Sequence, residues 1–132
     1  MKNFVVYHNP DSMQCPVTAV DARAVVTDKV VHEIEGSRVW LITGVGSPRE
    51  FLLRSYFIVD HVDSGSMSGF TTKLSGSIGQ VFEPMIPLNQ EIWFEAFKRQ
   101  QGNFAFGLQR IGSPEFIEGL EAVAGIKSKR EE

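Results

Sequence analysis

The chain has 132 residues, enough for one ordinary domain whose core can bury roughly two thirds of the surface exposed by the unfolded form. It is 42% hydrophobic and 22% charged, carries a formal charge of −3, and has a single cysteine, Cys15. These values exclude an internal disulfide, a cysteine-rich zinc cage and a strongly basic coat for nucleic acid, and no apolar run approaches the ~18 residues of a membrane span. The opening Met1-Lys2-Asn3-Phe4 has one positive charge but no continuous apolar segment or small-residue cleavage site behind it. A cytoplasmic protein with no membrane partner is expected.

In chain order, Phe4 to Tyr7 reads as a short buried strand with a Pro-Asp turn behind it. From Val17 to Val26 alanines argue for helix and valines for strand; a short helix or turn, then a strand around Val25 to Thr27, is the preferred reading. Glu35-Gly36-Ser37 turns into Arg38-Val-Trp-Leu-Ile-Thr43, which alternates too little to be half exposed and so belongs inside a sheet or barrel. After the break Gly44-Val-Gly-Ser-Pro48, the run from Glu50 to Val62 predicts one strand, about 40 Å if fully extended, and so long a strand usually bends.

A polar loop over 63–69 separates it from a short strand within Phe70 to Leu74, and Ser75-Gly-Ser-Ile-Gly79 forms a second glycine-rich loop. Pro84 and Pro87 argue against a central strand over Val81 to Leu88. Asn89 is the expected cap of a helix over Glu91 to Gln100, with Ile92, Trp93, Ala96 and Phe97 on one face and Gly102 as the stop. Asn103 to Leu108 predicts a strand with Phe104, Phe106 and Leu108 on one face. Ser113-Pro114-Glu115 opens a last helix, with Phe116, Ile117, Leu120 and Val123 as its apolar stripe. The expected whole is one α+β domain over 1–126, a small mixed or antiparallel β-barrel with two or three flanking helices, followed by a charged tail over 127–132.

The densest chemistry lies in Tyr7 to Cys15. As a metal site, His8, Asp11 and Cys15 would need a fourth ligand such as His32, His61 or water, and no spacing points to one. As a nucleophile, Cys15 would need His8 as base and Asn9 to orient it, all from one short segment without a glycine-rich oxyanion turn. A structural reading has Asn9, Asp11 and Ser12 bonding to the turn backbone. A binding reading has Tyr7, His8 and Asn9, with Ser12 beside them, presenting an aromatic face, a ring nitrogen and a bidentate amide to a planar heterocycle.

Neither glycine-rich loop carries a dinucleotide fingerprint or a P-loop lysine, and no catalytic carboxylate pair, Ser-His-Asp pattern or H-E-x-x-H is present. No cofactor, resident metal or catalytic residue is therefore expected. Residues 37–112 carry seven Lys/Arg against six Asp/Glu, so a locally basic face is compatible with the acidic total.

The stretch Gly36-Ser-Arg-Val-Trp-Leu-Ile-Thr-Gly-Val-Gly-Ser-Pro-Arg-Glu-Phe-Leu-Leu-Arg-Ser-Tyr-Phe-Ile-Val-Asp-His-Val62 resembles PUA-like domains of the EVE and ASCH kind. In those domains a strand after G-D-x-V leads through a loop into a long G-x-x-x-V-x-x-V strand. Here Ser37 stands where Asp is frequent, Arg54-Ser-Tyr-Phe stands where glycine is commoner, and Tyr7-His8-Asn9 replaces a tryptophan-containing opening. The resemblance implies a small barrel with a pocket for a nucleobase, often modified, and cleavage left to a separate nuclease or effector protein.

Together these observations suggest a noncatalytic module for DNA or RNA. Tyr7 and Trp40 would stack on a base, His8 and Asn9 would read its edge, and Arg49, Arg54, Lys73, Arg99 and Arg110 would meet phosphates. The alternatives are a protein-interaction or small-ligand module of the same barrel class and, third, a small enzyme. Trp40 and Trp93 also sit on apolar stripes suited to a core, and Lys98, Arg99 and Arg110 to a solvated face.

Overall fold

The computed structural model describes residues 1–28, 33–64, 72–105 and 107–126. In chain order they form strand β1 (Asn3–His8), a one-turn helix α1 (Pro10–Met13), a 3-10 turn (Val17–Ala19), β2 (Ala24–Thr27), β3 (Arg38–Val45), β4 (Glu50–Ile58) and β5 (His61–Ser64). Then follow β6 (Thr72–Ser75), β7 (Ile78–Pro87), α2 (Phe94–Gln100), a second 3-10 turn (Gly102–Phe104), β8 (Gln109–Arg110) and α3 (Pro114–Val123). None of the described helices is long and apolar enough to cross a membrane.

The strands make two sheets, one of five strands in the order β7-β4-β3-β1-β8 and one of three in the order β2-β6-β5. Among the described residues they do not close into a barrel, so the architecture is α+β with two open sheets. β3 is central, parallel to β1 and antiparallel to β4, which is why Arg38 to Thr43 is buried throughout. β7 is an edge strand, the position its two prolines favour.

Strand alternation gives the large sheet two apolar faces. Val5, Trp40, Ile42 and Leu53 pack against Phe94 and Phe97 of α2 and Phe116 and Leu120 of α3. Phe4, Val39 and Phe57 pack against Val25 of β2 and Leu74 of β6. The large sheet is thus the middle of three layers, and each fully buried large side chain stabilises it by about 1.5–3 kcal/mol.

The run expected as one long strand divides. β4 ends at Ile58 and β5 begins at His61, so the chain leaves the large sheet and enters the small one at Val59-Asp60. Its partner crosses in step at Gly76-Ser77, because Ser75 of β6 faces His61 while Ile78 of β7 faces Ile58. The close approach excludes side chains: a Cβ on Gly76 would run into the Ile58 carbonyl, and one on Gly79 into that of Tyr56. The Asp60 carboxylate fastens the corner, accepting from Ser77 N at 3.0 Å and Ser77 Oγ at 2.9 Å. Those bonds, the backbone one first, hold the Asp60 carboxyl below its ordinary range.

Further departures concern the second half of the chain. α2 begins at Phe94 rather than Glu91, its buried positions are Phe94 and Phe97, and Ile92 is wholly exposed. Asn89 does not cap it; its side chain accepts from Phe51 N and donates to the Arg49 carbonyl, tying β4 to the end of β7. Among the described residues of 103–108 the expected strand is absent: Asn103 and Phe104 adopt left-handed backbone, and pairing is seen from Gln109. Phe104 joins the helix-side cluster and Leu108 the small-sheet cluster, so the two do not share a face. Phe106, His32, Phe70 and the tail over 127–132 lie outside the described residues. In α3, Phe116 and Leu120 are buried and Ile117 and Val123 pack beside them, while the Ser113 hydroxyl donates to Gln100 Oε1 at 3.1 Å instead of capping.

Candidate ligand-binding site

The carboxyl end of β1 distributes its side chains to both faces of the large sheet, because consecutive strand residues point in opposite directions. The Tyr7 ring lies in the helix-side layer, stacked on Phe104 at 5.6 Å between centroids and tilted against Phe51 at 5.7 Å. Its hydroxyl accepts from Arg49 Nη1, and Arg49 Nη2 pairs with Asp11 at 3.3 Å. The Tyr7 bond is the main reason that the Arg49 guanidinium is held above its ordinary range. Gly44 makes room for the pair, since a Cβ there would strike both Tyr7 Oη and Arg49.

His8 faces the small sheet, with Phe4 and Val6 from the same strand face. It is 6% exposed, and its Nε2 lies 2.9 Å from the Cys15 carbonyl oxygen. Thr43 Oγ1 donates to the His8 carbonyl at 2.9 Å, fixing the strand end. Asn9 Oδ1 accepts from Asp11 N at 3.0 Å and Ser12 N at 3.4 Å, capping α1 as the structural reading of this turn requires.

Two hollows flank this strand end. Between the sheets lies a cleft of about 380 Å³, whose walls include Val6, His8, Val25, Leu41, Leu108 and Lys73. Met13, Val20 and Asp21, from the segment joining β1 to β2, also line it. On the other side a hollow of about 410 Å³ is lined by Tyr7, Asn9, Ser12, Asn103 and Phe104. Tyr7, Asn9 and Ser12 therefore come together, and Tyr7 also borders the cleft that His8 lines. The apolar walls of the cleft were missed in the sequence, although Val6, two residues before His8, is the strand neighbour that alternation places beside it.

Trp40 is fully buried, its indole Nε1 donates to Asn3 Oδ1 at 3.0 Å, and it borders neither hollow. The basic residues are dispersed. Arg54 is the bulged residue of β4, 7% exposed, bonded to the Phe82 carbonyl and Glu83. Arg110 pairs with Phe4 at the far end of β1, and Arg99 is exposed on α2. Lys73 alone of the five lines the cleft. No group of three or more His, Cys, Asp or Glu side chains gathers among the described residues, and Asp11 faces Arg49 rather than His8 or Cys15.

The geometry at this strand end is that of an open cleft in an α+β fold, with apolar walls and a few polar groups. Compared with protein-family models, curated proteins and solved structures, the chain matches none.

Proposed function

We propose that the chain is a noncatalytic module that takes one planar heterocycle, a base of DNA or RNA, modified or unmodified, into the cleft between its two sheets. The observation that carries the reading is the cleft itself, about 380 Å³ with largely aliphatic walls and Tyr7, His8, Asp21 and Lys73 as its ionisable groups. A flipped base needs such a slot, apolar against its faces and polar at its edge. Lys73 at the cleft and the exposed Arg99 and Arg110 are the cations left for phosphates, because Arg49 is engaged by Tyr7 and Arg54 is buried. A PUA-like barrel belongs to the same proposal, and the strand pair that bends through both sheets is what supports it. Strand cleavage, where it occurs, belongs to a separate nuclease or effector.

Fluorescence polarisation with modified and unmodified oligonucleotides tests the reading. Affinity should fall as salt rises, with backbone NMR shifts concentrated at Val6, His8 and Leu41. Absence of binding to every oligonucleotide at low salt would overturn it. The second reading is a module for a free small heterocycle or another small apolar ligand, favoured by the internal engagement of Arg49 and Arg54. Binding of free bases with no gain from a phosphate backbone would select it.

A further inference from the structure

We infer that the cleft selects an occupant bearing an exocyclic amine at its ring edge, and that His8 Nδ1 is the acceptor that reads it. The inference rests on the proposal that a planar ring enters this cleft. Its starting point is the contact between His8 Nε2 and the Cys15 carbonyl oxygen at 2.9 Å. A carbonyl oxygen only accepts, so in the neutral ring the proton sits on Nε2 and the lone pair on Nδ1. Among the described residues Cys15 is the one hydrogen-bond partner of this ring, which leaves Nδ1 unpartnered on a side chain more than nine-tenths buried in the cleft wall.

The other polar groups of the cleft do not duplicate this role. Lys73 is a donor without acceptor capacity, the Tyr7 hydroxyl is taken up by Arg49 Nη1, and Asp21, whose Oδ1 accepts from Arg23 N at 2.9 Å, is an exposed acceptor where His8 is a buried one. His8 is also fixed before any ligand arrives. Its backbone pairs in register with Thr43, its carbonyl accepts from Thr43 Oγ1, and its ring is held by Cys15. An acceptor fixed in a largely apolar slot discriminates by what it leaves unpaired, since a ring without a donor buries Nδ1 with no compensation.

The experiment uses two shape-matched probe pairs, adenine against purine and cytosine against pyrimidin-2-one, titrated into the full chain with its histidines labelled with ¹⁵N. Each pair differs by one exocyclic amine. The expected result is about tenfold tighter binding of the amine-bearing member of at least one pair, equivalent to about 1.4 kcal/mol. Saturation with that member should move the His8 Nδ1 resonance while Nε2 keeps its proton. His8→Phe should bring the affinity ratio near one. Equal affinity within both pairs, or an Nδ1 resonance unmoved at saturation, overturns the inference and leaves the base-in-cleft reading standing. Failure of all four probes to bind overturns the inference, while the base-in-cleft reading stands or falls with the oligonucleotide titration. The resonance measurement needs no variant, so a misfolded His8→Phe does not remove the test.

Discussion

Asn3 Oδ1 accepts two buried hydrogen bonds, from Arg38 Nε at 2.8 Å and Trp40 Nε1 at 3.0 Å. Arg38 in turn lies 4.8 Å over the Trp40 ring and pairs with Glu121 of α3 at 2.6 Å, so one amide oxygen organises the contact between the sheet and its last helix. A buried donor left without a partner costs about 1–3 kcal/mol. Asn3→Ala strands two of them, and a loss of about 2–4 kcal/mol in urea unfolding is expected; a loss below about 0.5 kcal/mol would show that water replaces the amide. These bonds also explain why Trp40 is closed to a ligand. An indole whose N–H and face are both occupied inside a core has nothing left to offer a base. At the other end of β1, strand alternation sends the Tyr7 ring to the helix-side layer and His8 toward the small sheet, although both border the cleft.

Where the two sheets meet, the corner depends on a carboxylate. Because the folded Asp60 carboxyl is held below its ordinary range by Ser77, it contributes stability that is present above the usual carboxylate range and is lost as pH falls through the folded value. Comparing the chain with Asp60→Asn, the difference in urea midpoint should be greatest near neutral pH and shrink below about pH 4. A difference that does not change with pH would place the stabilisation elsewhere. Much of the element order was legible: Arg38 to Thr43 as a central strand, the proline-marked edge, and the stripe of Phe116 and Leu120 all follow from local pattern. The division of Glu50 to Val62 was not legible. Apolar continuity records that a run is extended, whereas the choice of sheet is made by partners in another segment, here Ser75 and Ile78. The glycines at 76 and 79 were the available sign, for they mark backbone approach as well as turns. The cleft escaped notice for a related reason, being enclosed by Val6, Leu41 and Val25 from three strands that only the fold assembles.

Because the central sheet serves both apolar clusters, the three layers should unfold together. Phe97→Ala on the helix side and Leu74→Ala in the small sheet should each cost about 2–5 kcal/mol. In both variants near- and far-ultraviolet circular dichroism should report one coincident transition. Separate transitions in the Leu74→Ala variant would show that the small sheet is an independent unit. β1 raises a question of timing. It sits between β3, in parallel, and β8, where Phe4 meets Arg110, more than a hundred residues away. A strand that completes its hydrogen bonding with one translated more than a hundred residues later cannot settle until that later segment has emerged from the ribosome. At roughly 5–20 residues per second, its apolar residues wait several seconds for that last neighbour, an interval in which nascent-chain chaperones have their opportunity to act.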